Sequence, residues 1–177
     1  MTRKSMLKGT ALLIVLLFVT CFSSLAFADS KSLDKDTLFF HDNWTGWLWF
    51  KGGTSVTIDE KGQLVTGTLA QDSAFWTQGG NTIGQVLFKA GTTVNVNKLG
   101  QVITGTLAQD YPFWTPPPPY NIGSIMFKGG TSVTFNEKGQ LVTGTLAQDL
   151  MLMNAKGAYQ QYKAGSVVSF NDRGLVY

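Results

Sequence analysis

"EKGQLVTGTLAQD" spans Glu60–Asp72 and returns letter for letter at Glu137–Asp149, with "KLGQVITGTLAQD" between them at Lys98–Asp110. Self-similarity at a period of about 20–50 residues marks a modular array, each copy being one supersecondary unit. With the aspartate as the mark, units begin at Asp36, Asp72, Asp110 and Asp149, spaced by 36, 38 and 39 residues. Aromatic-Lys pairs at Phe50, Phe88, Phe127 and Tyr162 give the same division. The units are therefore 36–71, 72–109, 110–148 and a shortened 149–177, which stops at "GLVY" where the others continue "VTGTLAQD".

Within a unit the pattern alternates between strands and turns. In "SIMFKGGTSVTFNEKGQLVTGTLAQD" (Ser124–Asp149), Ile125 and Phe127 share one face of a strand, and Gly129-Gly130 reverses the chain. "TSVTF" then puts Val133 and Phe135 on one face and Ser132 and Thr134 on the other, the period of two that a half-buried strand requires. "NEKG" reads as a type I turn whose Gly139 takes the left-handed conformation. That turn sets Asn136 opposite Gln140 and Phe135 opposite Leu141. The same glycine recurs as Gly62, Gly100 and Gly174, because only glycine enters positive φ without a side-chain clash.

A three-stranded unit cannot bury its apolar face alone, whereas neighbouring copies can cover one another. The expected fold is all-β: tandem three-stranded β-hairpin repeats forming an elongated sheet or open β-solenoid, with the small residues of "GTLA" allowing neighbouring turns to pack closely. A compact β-sandwich is the alternative.

"VTFNEKGQLVTGT" resembles the short hairpin repeats of secreted bacterial choline- and glucan-binding modules, which run aromatic-Asp/Asn-x-x-Gly-x-x-x-Thr-Gly, and more distantly MORN-type repeats. The likeness covers about a dozen residues per unit and implies a hairpin array at the bacterial surface. Those modules carry Trp or Tyr just before the hairpin, forming an aromatic ligand box. Here the matching positions are Thr54-Ser55-Val56, Thr92-Thr93-Val94 and Thr131-Ser132-Val133. The box is missing, and no choline or glucan site is carried over.

The first residues read as an export signal: basic Arg3, Lys4 and Lys8, an apolar run over Ala11–Val19, then Ala26-Phe27-Ala28. Small residues at Ala26 and Ala28 place cleavage after Ala28, and the apolar run is about half the roughly 20 residues needed to span a bilayer. No stable membrane insertion is therefore expected after signal cleavage. Cys21 is preceded by Thr20 and Phe18 where acylation sites want small residues and Leu, which argues against lipidation. The remaining domain, 29–177, holds 11 basic and 11 acidic residues. Without a basic excess it lacks the charge that nucleic acid or anionic lipid demands. It is also free of cysteine, so its stability must come from a core.

Function in repeats concentrates where the copies differ, because variation maps to loops on one face. The variable segments follow each marker aspartate and contain Trp44, Trp47, Trp49, Trp76 and Trp114, together with Tyr111 and Tyr120. These seven are the candidate ligand-binding residues. Trp76 and Trp114 lie four residues past their aspartates, where other units have Phe40 and Met153. Core packing is the expected fate of such a repeated aromatic; exposed rings stacking on sugar faces are the alternative. Trp47 and Trp49 share strand parity and face one way. Pro116–Pro119 forms a stiff polyproline spacer.

Catalysis finds little material. His41 is the sole histidine and reads as a loop or surface side chain, and with no cysteine in 29–177 the inventory lacks zinc clusters and Cys/His pairs. Asp59, Glu60, Glu137 and Asp172 sit in repeated turns, which points to turn chemistry. Asp72, Asp110 and Asp149 offer one carboxylate per unit, far from the roughly six to eight oxygens of a calcium site. No cofactor or metal is expected. The sequence points to an exported, non-catalytic β-repeat protein of the bacterial cell envelope with a structural or adhesive role. The alternative is a carbohydrate-binding module for wall or capsular glycan. Self-association through open sheet edges is the further expectation.

Overall fold

A computed structural model describes residues 29–42, 46–76, 85–114 and 123–177. Residues 1–28, on which the export-signal expectation falls, Trp44, Pro116–Pro119 and Tyr120 lie outside the described residues, as do the side chains of His41 and Trp76. The described chain is all-β. In order, its strands are β1 (Asp29–Ser32), β2 (Thr37–Asp42), β3 (Gly46–Phe50), β4 (Ser55–Ile58), β5 (Leu64–Thr68), β6 (Ser73–Trp76), β7 (Gln85–Phe88) and β8 (Thr93–Val96). Then come β9 (Val102–Thr106), β10 (Tyr111–Trp114), β11 (Ser124–Phe127), β12 (Ser132–Phe135), β13 (Leu141–Thr145), β14 (Leu150–Met153), β15 (Tyr159–Tyr162) and β16 (Val167–Ser169). One eight-stranded sheet runs β1-β4-β5-β8-β9-β12-β13-β16, and β2–β3, β6–β7, β10–β11 and β14–β15 form four separate two-stranded hairpins.

The sheet hairpins follow the predicted register. Phe135 pairs with Leu141, and a bulge then sets Thr134 opposite Thr143. Gly139 sits at φ +71°. Asn136 does more than face Gln140. Its Oδ1 accepts the N–H groups of Lys138 and Gln140, both at 3.0 Å, and its Nδ2 donates to Gln140 Oε1 at 2.9 Å. Asp59, Asn97 and Asn171 build the same turn. A further copy stands at Asn154, whose Oδ1 accepts from Lys156 and Ala158 and closes β14–β15. We expect Asn136→Ala to cost about 1–2 kcal/mol of unfolding free energy, the loss of a short side-chain network, while Asn136→Asp loses far less because Asp59 already fills the equivalent place. Urea titrations with an unchanged slope would report it; equal losses for the two variants would refute the turn's role.

The unit differs from the expected three strands. The strand containing Ile125 and Phe127 pairs along its length with Tyr111–Trp114 from the variable segment and meets the large sheet only at its end, through the Phe127–Leu146 bridge. Each complete unit thus adds two strands to the sheet and lays a two-stranded hairpin over it, while the shortened fourth adds its hairpin and β16 alone. The cause is the corner after the aromatic-Lys pair, where Gly130 takes φ +73°. Gly130 donates to Leu107 O at 2.7 Å, and Thr131 Oγ1 donates to Lys128 O at 2.6 Å. The marker aspartates lock this corner. The Oδ1 atoms of Asp36, Asp72, Asp110 and Asp149 accept the N–H of Gly52, Ala90, Gly129 and Ala164 at 2.8, 2.7, 2.7 and 2.9 Å.

One apolar cluster fills the space between sheet and hairpins. Phe50, Phe88 and Phe127, all essentially unexposed, reach from the hairpins onto Gly67, Gly105 and Gly144 of the sheet. A Cβ at Gly144 would lie 2.5 Å from Phe127 Cδ1. The glycine of "GTLA" is therefore a notch for the ring of its own unit, which corrects the expectation that it serves close packing between neighbouring turns.

β1 extends this logic. Ser30-Lys31-Ser32 pairs with Thr57, Val56 and Ser55, and Leu33 N–H donates to Thr54 O at 2.9 Å, as Leu69 does to Thr92 O at 3.0 Å. "SKSL" thus holds the place of "TGTL" against the first sheet strand, with Lys31 where the others carry the notch glycine.

The sheet face turned away from the hairpins is a hydroxyl ladder. Ser30, Thr57, Thr66, Asn95, Thr104, Thr134, Thr143 and Ser169 stand opposite one another in succession across all eight strands. Two residues along, Ser32 pairs with Ser55, Thr68 with Thr93, Thr106 with Ser132 and Thr145 with Val167.

Candidate functional site: the outer aromatic face of the hairpins

Alternation fixes what each hairpin shows to solvent. In β2–β3, Phe39 pairs with Leu48, and Thr37 with Phe50, on the inner side. Leu48 and Phe50 are buried, and Phe39 meets the Phe50 ring edge-on at 5.7 Å. The opposite parity points out. There Leu38 pairs with Trp49, and Phe40 with Trp47. Their exposures are 39% for Leu38, 48% for Phe40, 63% for Trp47 and 40% for Trp49. The Phe40 and Trp47 rings contact edge-on, with centroids 5.4 Å apart. Four large apolar groups on one two-stranded face are an exposed patch that a soluble surface keeps only for a reason.

Two of the other hairpins show the same tendency more weakly. Trp114 is exposed on β10, and Met151 and Tyr159 on β14–β15. For Trp114 this overturns core packing as the fate of the repeated position. On "YPFW" (Tyr111–Trp114) it is Tyr111 and Phe113 that turn inward. Tyr111 is only 8% exposed and packs on the Phe113 ring at 4.9 Å. Burial pushes its hydroxyl pKa up. It belongs to the core and not to the outer face. Of the candidates, the structure brings Trp47 and Trp49 together on one face and sets Trp114 on another hairpin. Phe40 and Leu38 were missed, although their register with the tryptophans follows from the strand's own alternation.

The marker aspartates and Asp59 are occupied with backbone amides. Asp149 also takes Lys163 Nζ on Oδ2 at 2.7 Å, and that hydrogen bond, with the Ala164 amide, holds its pKa below the usual carboxylate value. Among the described residues no group of three or more His, Cys, Asp or Glu side chains gathers as a metal site would require. Three successive turn tips contribute to an open cleft whose lining includes Glu60, Lys61, Asn97, Lys98, Leu99 and Glu137, with charges of both signs. No family model matches the chain, and neither a curated protein nor a solved structure matches it.

Proposed function

We propose that this is a non-catalytic, exported adhesive protein of the bacterial envelope, built as tandem units in an open array, whose ligand is a cell-wall or capsular glycan. The observation that carries the reading is the outward pair Trp47 and Trp49 with Phe40 and Leu38. Flat C–H-rich sugar faces pack on such rings, and their strands are anchored in the core through Phe39, Leu48 and Phe50, which limits the ordering entropy that opposes binding. The leader-like first residues support export, and the "N-x-x-G" hairpins support kinship with secreted hairpin modules. Self-association through the sheet edges is opposed at one end: β1 is four residues long, fully exposed and carries Lys31, and short charged edges discourage pairing.

The test is retention of residues 29–177 on insoluble peptidoglycan and capsular polysaccharide. Trp47→Ala/Trp49→Ala should weaken retention by about 30-fold or more, the scale of losing two central aromatic anchors. Its urea midpoint should stay near that of the parent chain, because neither ring is in the core. Equal retention of the two proteins on every polymer that binds would sink the aromatic-face reading.

A further inference from the structure

We propose that the hydroxyl ladder on the opposite face is a second binding surface, a track for one extended, uncharged polysaccharide chain lying across the strands. It stands on different residues from the aromatic face and does not depend on it.

Composition supplies the first argument. The two rows comprise sixteen outward positions; fifteen are Ser, Thr or Asn and the last is Val167. The chain is 14% charged and charged residues are mostly exposed, so a merely solvated face of this size would carry a few charges. This one has none. The charged side chains sit instead in the turns and corners, at Asp59-Glu60-Lys61, Glu137-Lys138 and Asp172-Arg173. Short neutral side chains let a ligand approach the backbone closely. Absent charge also selects against anionic and cationic polymers, which would require Lys/Arg or Asp/Glu opposite them.

Geometry supplies the second. Adjacent strands lie about 4.7–4.9 Å apart, close to the length of one pyranose in an extended β-linked glycan, so each strand can meet one sugar. The two rows are separated by two residues, about 6.8 Å, and so flank a single chain. The hydroxyls are held in place. Thr143 Oγ1 meets Ser169 Oγ at 3.1 Å, Thr68 Oγ1 meets Thr93 Oγ1 at 3.4 Å, and Asn95 Nδ2 donates to Thr104 Oγ1. Neighbouring strands rotate by about 20–25°. A flexible glycan can follow that twist and a rigid lattice such as ice cannot, which decides between the two hydroxyl-rich ligands.

The experiment uses residues 29–177 carrying Trp47→Ala/Trp49→Ala, so that the aromatic face cannot mask the result, on swollen amorphous cellulose, whose chains are free to bend, as the neutral probe. Adding Thr66→Lys, Thr104→Lys and Thr143→Lys should reduce retention at least about tenfold, the loss of several hydrogen bonds, while Thr→Ser at the same three positions should retain it. Equal retention of the lysine and serine variants overturns the proposal. So does inhibition of ice growth without retention on cellulose. Should the lysine variant fail to fold, a soluble β-linked glucan oligomer titrated into the parent chain gives the answer by NMR. Shifts at the Thr66, Thr104 and Thr143 methyls support the track, and shifts confined to the hairpins, or none, refute it. Failure of the aromatic reading would appear separately, as unchanged retention of the parent and tryptophan variant on wall polymers.

Discussion

Phe127→Ala should lower the unfolding free energy by about 3–5 kcal/mol, the cost of truncating a fully buried phenylalanine. Phe127 is 1% exposed and stands where the two layers meet. Its ring is edge-on to Phe113 at 5.7 Å and to Phe170 at 6.3 Å. Those neighbours come from β10 and from the end of β16, so the ring joins its own hairpin to the sheet strands of the next unit. Collapse into the vacated space would have to move the hairpin and the sheet together, which is why the loss should sit in the upper part of the range for large-to-small changes. Urea-induced unfolding at constant slope measures it. A loss under about 1 kcal/mol would mean that this ring does not hold the layers together.

Gly144→Ala should cost about 1–3 kcal/mol through overpacking, a large effect for one added methyl. The new Cβ would fall 2.5 Å from Phe127 Cδ1 and 2.9 Å from Cε1, and the ring has no room to retreat. The informative control is Gly129→Ala. By distance alone it looks as forbidden, with a Cβ 2.7 Å from the Gln109 backbone. Yet Ala90 and Ala164 occupy that corner in other units, with their amides still bound to Asp72 and Asp149 at 2.7 and 2.9 Å. An exposed corner can open by a few tenths of an ångström; a ring enclosed on all sides cannot. Gly129→Ala should therefore stay within about 0.5 kcal/mol of the parent. Combining Gly144→Ala with Phe127→Leu should cost less than the sum of the two changes, since the residues touch. Equal losses at Gly144 and Gly129 would remove the notch from the account of the fold.

The sheet hairpins were legible because their determinants are local. Alternation over Val133–Phe135, an Asn or Asp at the turn and a glycine three residues on are enough to set the Phe135–Leu141 register. The same "N-x-x-G" spacing in "NAKG" at Asn154–Gly157 does not stand out as a hairpin, because the preceding "LMLM" lacks polar alternation. The marker aspartates and the aromatic-Lys corners were each visible, but not their partnership. The hydrogen bonds joining them span 15 to 19 residues and exist only once the chain has changed layers. The placement of Tyr111 and Trp114 was out of reach for a different reason: "YPFW" is apolar at both parities, so alternation separates two faces without ranking them.

From its amino acids alone, this chain committed to all-β structure, to hairpins tipped by glycine and to Trp47 and Trp49 sharing one side of a strand. Local stereochemistry and a two-residue period determine those, and both act within a few positions. Which side of each outer hairpin is covered was decided only in three dimensions. The single sheet below can bury one face of a ribbon; it took Phe39, Leu48 and Phe50 and left the tryptophans to solvent, because burial is conferred by a neighbour that the strand's own residues do not name.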